Sequence, residues 1–303
     1  MLTNIDRLAG RHALTAVGLI LGLSVFAAQE PQKPAPPPPP APKPLVATSP
    51  DNTRIVYEVT GSGPAVMLIH GGGQTRRSWH DAGYVDRLSK TFTVITVDLR
   101  GSGESDKPET AEAYALDRVL ADLYAVADAT SAARFHVWGF GHGASIARYL
   151  AARSDRVISA VLVAATMGPT VTGLAKDAIV AMRAKWQALL DEKRKGTLDV
   201  KTLPHGDRAA LENGMAVSAI ALGALVDYPP LEPAEIKVPT LWVLASDDAA
   251  AAANQKQYAD KLAETKVTLK VLPSTTYADI FFKVEQTLET VMPFLAGKAS
   301  ILP

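Results

Sequence analysis

The chain has 303 residues, of which 48% are apolar, and it carries 31 basic and 31 acidic side chains. A chain of this length can bury a complete core, and its balanced charge gives no electrostatic reason to expect nucleic acid as a partner. It contains no cysteine, which excludes disulfides, thiolate metal ligands and a cysteine nucleophile.

An export signal is predicted at the N-terminus. Arg7 and Arg11 precede an apolar stretch, Ala13–Ala28, which ends in small residues at the spacing that a signal peptidase accepts. The stretch is shorter than the roughly 20 apolar residues that a membrane-spanning helix needs. We therefore predict a signal peptide at residues 1–28, with an uncleaved membrane anchor as the alternative. We expect a periplasmic or extracellular protein that contacts a membrane only through such an anchor.

Proline dominates the segment that follows. Pro31–Pro44 has a composition that cannot bury a core and that favours the extended polyproline II conformation. We therefore predict a proline-rich linker at residues 29–48 and one folded domain at residues 49–303.

Within the predicted domain, short apolar runs alternate with segments of helical periodicity. The predicted strands are Ile55–Val59, Ala65–Ile69, Phe92–Val97, Phe135–Trp138, Val157–Ala164, Thr240–Leu244 and Val267–Leu272. Strands that alternate with helices predict an α/β fold with a mostly parallel central sheet flanked by helices. From about residue 168 to about residue 236 the pattern is mainly helical, which indicates an inserted helical cap.

Four local motifs carry a resemblance to a known family. They are the glycine-rich loop His70–Gly73, the turn Asp98–Ser105, the glycine-framed turn Gly139–Gly143, and the apolar strand with its acidic end, Pro239–Asp248. Their order and spacing resemble those of the α/β-hydrolase fold superfamily. The resemblance extends from about residue 50 to the end of the chain.

The resemblance implies a role for each motif. His70, Gly71, Gly72 and Gly73 would form the oxyanion loop, in which small residues let backbone N–H groups approach a developing negative charge. The turn that begins at Asp98 would be structural. The glycine-framed turn would be the nucleophile elbow, a sharp connection from a strand to a helix.

The chain departs from the family at two of the three reactive positions. In a working triad a hydroxyl attacks, an imidazole takes its proton, and a carboxylate orients the imidazole. Gly141 stands at the apex of the elbow and has no attacking atom, and Tyr277 stands where the family has its histidine. No histidine follows His205. Asp248, with Asp247 as the second choice, would be the retained acid.

These departures predict a protein that binds rather than catalyses. Removal of the nucleophile from a triad lowers turnover by about 10⁶-fold, so serine-type hydrolysis is not expected. We expect a small apolar molecule or a partner in the cleft, with His142 and the oxyanion loop in its wall. The alternative is a hydrolase of ester-like or related small substrates that acts by an atypical route through Asp248, Tyr277 or His142.

No cofactor or metal is expected. The six histidines are scattered and form none of the paired spacings typical of a catalytic zinc site. The two Gly-Ser-Gly sequences are too short for a dinucleotide-binding loop, so both are interpreted as turns.

Overall fold

An eight-stranded sheet organises the domain in the computed structural model, which describes residues 43–299. The strands are β1 (Leu45–Thr48), β2 (Arg54–Thr60), β3 (Ala65–Ile69), β4 (Thr93–Val97), β5 (Phe135–Phe140), β6 (Val157–Val163), β7 (Thr240–Ala245) and β8 (Val267–Leu272). Their spatial order is β1-β2-β4-β3-β5-β6-β7-β8. Strand β2 is antiparallel to both of its neighbours, and the other pairings are parallel.

Helices connect the strands and cover both faces of the sheet. They are α1 (Arg77–Asp81), α2 (Tyr84–Leu88), α3 (Leu116–Ala129), α4 (His142–Arg153), α5 (Gly173–Lys195), α6 (His205–Glu212), α7 (Met215–Gly223), α8 (Ala249–Tyr258) and α9 (Val284–Ala299). Short 3₁₀ turns lie at Ala111–Tyr114, Val200–Thr202, Ala224–Asp227, Pro233–Glu235 and Ala259–Lys261. This is the predicted α/β architecture.

The two faces of the sheet belong to separate apolar layers. Along β3, Met67 and Ile69 join the layer that contains α3 and α4, whereas Val66 and Leu68 join the layer that contains α1, α2 and α9. Successive side chains of a strand point to opposite faces, and a parallel sheet is covered on both. The central strands therefore read as continuous apolar runs, as the sequence indicated.

The first strand lies at the boundary between the predicted linker and the predicted domain. Residues 45–48 fall inside the predicted linker, but they form the edge strand β1, with Leu45 opposite Tyr57 and Thr48 opposite Arg54. An edge strand pairs through its main chain and needs few buried side chains, which is why its short sequence gave no strand pattern. The predicted signal peptide and the linker up to residue 42 lie outside the described residues.

A mainly helical segment, residues 164–239, separates β6 from β7, and we call it the cap segment. Its two ends meet in a short antiparallel bridge between Gly168 and Leu231. The buried side chain of Arg148, from α4, donates to the carbonyl oxygens of Thr166, at 2.6 Å, and of Gly168, at 2.9 Å. The base of the cap segment is thereby fixed to the helix that follows the elbow.

Among residues 43–299, no single helix combines the length and the hydropathy that a membrane span requires. Only His205–Glu212 and Met215–Asp227 taken together, across a bend of 82°, reach that length and composition.

Candidate functional site

The glycine-framed turn has the backbone geometry of an elbow. Gly141 connects β5 to α4 with φ 50° and ψ −111°, a conformation that costs a residue with a side chain on the order of 1–3 kcal/mol. Its N–H donates to the Val163 carbonyl at 2.9 Å, and its carbonyl accepts from the Ser145 N–H at 2.9 Å. The strand, the turn and the helix therefore hold the apex in place whether or not it carries a side chain.

Two further glycines let the helix approach the sheet. A side-chain carbon at Gly139 would overlap the backbone of Gly143 and Ala144, and one at Gly143 would overlap the carbonyl oxygens of Ile69 and His70. The backbone of α4 thus lies directly against the ends of β3 and β5. Close contact of this kind requires glycine because no other residue leaves the space.

The side chain of Tyr277 lies at the apex of the elbow. A side-chain carbon added to Gly141 would lie 2.5 Å from the Tyr277 hydroxyl oxygen. The Tyr277 ring packs against Phe140, with ring centroids 5.7 Å apart, and the side chain is 48% exposed. Burial raises the pKa of Tyr277, and the charge of Asp248 raises it further, so the phenol stays protonated at neutral pH.

The two candidate acids have different surroundings. Oδ1 of Asp248 caps α8, because it accepts from the N–H groups of Ala250 at 2.9 Å and Ala251 at 3.1 Å. Asp247 is exposed, and its Oδ1 accepts from the Ser246 hydroxyl at 2.7 Å. The electrostatic effect on Tyr277 comes from Asp248. The geometry therefore favours Asp248 over Asp247 as the acid of this site.

The glycine-rich loop is held by its own side chains. His70 is 1% exposed; its Nδ1 lies 2.8 Å from the Gly71 carbonyl, and its Nε2 accepts from the Leu99 N–H at 3.2 Å. This pattern assigns the proton to Nδ1, and burial lowers the pKa of His70. The Gly71 N–H donates to Oε1 of Gln74 at 2.9 Å, so it is not free to bind an oxyanion.

The cap segment places an apolar side chain beside the glycine-rich loop. A side-chain carbon at Gly72 would lie 3.6 Å from Cδ1 of Leu222, in α7, and 3.9 Å from Cβ of His142. Gly73 has φ 73° and nothing within 4 Å of such a carbon, so it faces open space. The sequence did not single out Leu222 or Phe140 as site residues, because both look like ordinary core positions.

The surroundings of His142 favour its neutral imidazole. Burial lowers the pKa of His142 to about 4, with a smaller contribution from His70. The imidazole is therefore uncharged at neutral pH, and its side chain forms no hydrogen bond with another residue in the described part of the chain. The imidazole is free to donate or accept a hydrogen bond with a ligand. It does not form the hydrogen bond to a nucleophile's hydroxyl that a catalytic histidine would form.

The turn that follows β4 contains a buried ionic network. Asp98 is fully buried; its Oδ1 accepts from the Arg76 N–H at 2.7 Å, and its Oδ2 accepts from the Glu104 N–H at 2.9 Å and pairs with the Arg76 guanidinium. Arg76 also contacts Glu58 at 2.9 Å. Both oxygens of the buried carboxylate are bonded, so this motif supports the glycine-rich loop and leaves no group for chemistry.

Four surface grooves of about 450 to 520 Å³ lie on the described residues, and none of these four is lined by Gly141, Asp248 or Tyr277. Residues 43–299 contain no cluster of three or more His, Asp or Glu side chains arranged to hold a metal ion.

Comparison with known proteins gives a consistent family. A family model described as the alpha/beta hydrolase fold matches residues 64–195. An uncharacterized protein of Mycobacterium bovis is 33% identical over 120 residues, which are 39% of this chain and 33% of that protein. Epoxide hydrolase 2 of Siraitia grosvenorii is 32% identical over 99 residues, which are 32% of this chain and 31% of the enzyme. The chain thus spans about a third of the length of these relatives.

Solved structures match over most of the domain. A hydrolase from Pseudomonas aeruginosa superposes with a TM-score of 0.64 at 22% identity, over 83% of this chain and 99% of that one. The bottromycin epimerase BotH in complex with bottromycin A2 superposes with a TM-score of 0.62 at 24% identity, over 86% of this chain and 100% of that one. At these identities the likeness concerns the fold.

Proposed function

Since this chain belongs to the α/β-hydrolase fold superfamily but has glycine at the apex of its elbow, we propose that it is a non-catalytic member that binds a small apolar molecule beside Gly141. The hydrolases among its relatives and structural neighbours support the fold. The loss of the serine and histidine positions is inferred from the residues of this chain. Fold alone does not fix activity, since one structural neighbour is an epimerase.

One contact supports this function most strongly. The Tyr277 hydroxyl occupies the space that a nucleophile's side chain would need, 2.5 Å from the carbon that Gly141 lacks. The apex therefore lacks an attacking atom, and the residue in the histidine position is a protonated phenol that cannot act as a base at neutral pH. One carboxylate oxygen of Asp248 already accepts the hydrogen bonds that cap α8.

The expected ligand follows from the walls of the cleft. Tyr277 and Leu222 offer aromatic and apolar surface, while His142 offers one uncharged polar group. Sites for small molecules combine a mainly apolar lining with a few polar groups that set orientation. We therefore expect a small apolar molecule with a single polar group, although a partner that inserts one apolar side chain would satisfy the same surface.

The binding function is tested with a thermal-shift screen of small apolar compounds against the parent protein. A true ligand raises the melting temperature in a saturable way, because it binds only the folded state. Gly72→Val would fill the space between Leu222 and His142, and we expect it to abolish the shift. Gly206→Val is the matched control, since a side-chain carbon there meets nothing within 4 Å. Equal shifts in both variants would place the ligand elsewhere.

The loss of catalysis is tested by rebuilding the triad. We expect Gly141→Ser alone to stay inactive, because the new side chain collides with the Tyr277 hydroxyl. The double variant Gly141→Ser, Tyr277→His would regain hydrolysis of short esters if Asp248 can still orient the imidazole. Gly141→Ser with Tyr277→Phe is the control, because it removes the hydroxyl without adding a base.

The second candidate function is hydrolysis by an atypical route, and the match to epoxide hydrolase 2 favours testing it. The parent is assayed with ester, lactone and epoxide panels. Turnover that disappears in Asp248→Asn, a variant that keeps a residue suited to capping α8, would contradict the non-catalytic proposal.

Export is part of the same proposal. The predicted signal at residues 1–28 and the linker that follows support a periplasmic or extracellular protein, tethered to the membrane if the signal is not cleaved. Mass spectrometry of the protein from the periplasmic and membrane fractions distinguishes a processed chain, which begins near residue 29, from a full-length anchored one.

A further inference from the structure

A second groove lies at the other end of the sheet. It has a volume of about 450 Å³ and is lined by residues that precede strands β5 to β8. We call it the basal groove and define it by its charged residues Arg134, Arg153, Asp155, Lys237 and Lys266. Strand β5 is six residues long, so the groove lies about 20 Å from the elbow at the opposite end of that strand. It is separate from the cleft described above.

The basal groove concentrates positive charge in a chain whose net charge is zero. Four of its charged side chains are cationic, and Asp155 is its one acid. The side chains of Arg134 and Lys237 form no ion pair or hydrogen bond with another residue in the described part of the chain. The local excess of positive charge is therefore left uncompensated by the protein itself.

The other two cations are only partly compensated. Arg153 contacts Asp117, at 3.0 Å, but that carboxylate is 89% exposed, so the pair is strongly screened by water. Nζ of Lys266 donates to the Lys237 carbonyl at 2.6 Å, and this bond holds the ammonium group without neutralising it. By contrast, the neighbouring Arg156 is held by Asp128 and by two backbone carbonyls.

The floor of the basal groove is apolar. Val157 and Ile158, at the start of β6, are 2% and 8% exposed, and Val238 and Pro239 complete the floor. Apolar walls lower the local dielectric constant, which strengthens the attraction between the surrounding cations and an anion bound over them. The groove thus combines exposed positive charge with an apolar lining.

We propose that the basal groove binds a small ligand with a multivalent anionic group of the phosphate type. Several cations around one cavity favour a group with two or more negative charges, and a guanidinium fork pairs well with phosphate oxygens. The volume suits a small molecule. Nucleic acid is disfavoured, because tracking a phosphate backbone needs a longer basic surface. Inorganic pyrophosphate and the headgroup of an anionic lipid share the required chemistry.

Titration calorimetry of the full chain with pyrophosphate tests the proposal. We expect saturable binding that weakens as salt is raised, because the attraction is electrostatic. Arg134→Gln with Lys237→Gln should lower the affinity roughly tenfold or more, since each residue would otherwise donate a charge-assisted hydrogen bond. Both side chains are exposed, so the double variant should unfold at the parent's temperature. Lys90→Gln with Lys256→Gln removes the same charge elsewhere and should leave the affinity unchanged.

Co-sedimentation with vesicles separates the two sources of phosphate. Binding to vesicles that contain phosphatidic acid, a phosphate monoester, but not to phosphatidylcholine vesicles, lost in the Arg134 and Lys237 variant, would identify a lipid headgroup as the ligand. Binding of pyrophosphate without vesicle binding would identify a soluble one. No saturable binding to either probe, or equal losses in the test and control variants, would overturn the proposal.

Discussion

The turn at Asp98 and the elbow at Gly141 lie at the carboxyl ends of β4 and β5, the two strands that flank β3, yet they differ in how their polar groups are used. In the turn, both oxygens of Asp98 are bonded to Arg76 or Glu104 within a closed buried network. In the elbow, two backbone hydrogen bonds hold Gly141 in place. The apex has no side chain, and the hydroxyl that lies against it belongs to Tyr277.

The turn and the elbow therefore have different roles: the turn stabilises the fold, whereas the elbow is the place at which a reaction would occur. The buried network supports the loop and the sheet, so its loss would cost stability in this chain. In a working hydrolase the side chain at the apex takes part in the reaction. It is not needed to hold the turn, because Gly141 adopts the conformation of the turn without strain. The backbone geometry of the elbow is therefore kept in this chain without a side chain at its apex.

The largest expected effect is in the turn. Arg76→Met leaves Asp98 and Glu58 buried without their cation, and we expect a loss of about 3–5 kcal/mol in the free energy of unfolding. Chemical denaturation of parent and variant measures it. Arg194→Met removes an exposed pair with Asp191 and should cost less than about 1 kcal/mol. Similar losses in the two variants would contradict the structural role of the turn.

A matched pair of glycine substitutions compares the two regions directly. A side-chain carbon added at Gly103, where φ is 53°, would overlap both carboxylate oxygens of Asp98. One added at Gly141 would meet only the end of the Tyr277 side chain. Both substitutions strain the backbone by on the order of 1–3 kcal/mol. We expect Gly103→Ala to cost clearly more than Gly141→Ala, because Tyr277 can rotate away and Asp98 cannot.

The midpoints of denaturant unfolding at fixed protein concentration give both costs. A larger loss for Gly141→Ala would mean that the Tyr277 side chain is locked in place, and it would weaken the distinction between a fixed turn and an adaptable elbow.

The pH dependence of stability distinguishes the elbow further. The pKa of His142 is about 4 in the folded protein, below its unfolded value of about 6.5, so the unfolded chain binds more protons between these values. Its contribution to stability is complete above pH 6.5 and is lost as the pH falls towards 4. We expect His142→Gln to reduce this loss by about 2 kcal/mol, allowing for partial exposure.

Unfolding of the parent and the His142→Gln variant is measured from pH 7 to pH 4. Gln257→Ala changes an exposed side chain that carries no titratable group and should leave the slope as it is in the parent. An unchanged slope in His142→Gln would show that this imidazole is already solvated.

The smallest expected effect concerns the acid. Asp248→Ala removes the cap of α8 and should cost about 1 kcal/mol, whereas Asp248→Asn keeps a capping oxygen and should cost less. Thermal unfolding measures the difference. Equal costs would mean that the carboxylate charge, rather than the cap, holds this residue in place.

The sequence predicted much of the fold, because its signals are local. The apolar runs of β3, β5, β6 and β7 follow from burial on both faces of a parallel sheet. The edge strand at Leu45–Thr48 was placed in the linker, since its pairing depends on a partner strand and not on its own pattern. The cations of the basal groove come from the end of α4 and from three separate loops, so no local motif in the sequence indicated them.

The candidate site divides in the same way. Two facts of covalent structure can be read from the chain without its fold: Gly141 offers no attacking atom, and no histidine follows His205. The folded arrangement was needed to show that the Tyr277 hydroxyl lies at the apex and that Asp248 caps α8. Gly141 and Tyr277 are far apart along the chain, and their contact depends on how the sheet and its loops bring distant segments together.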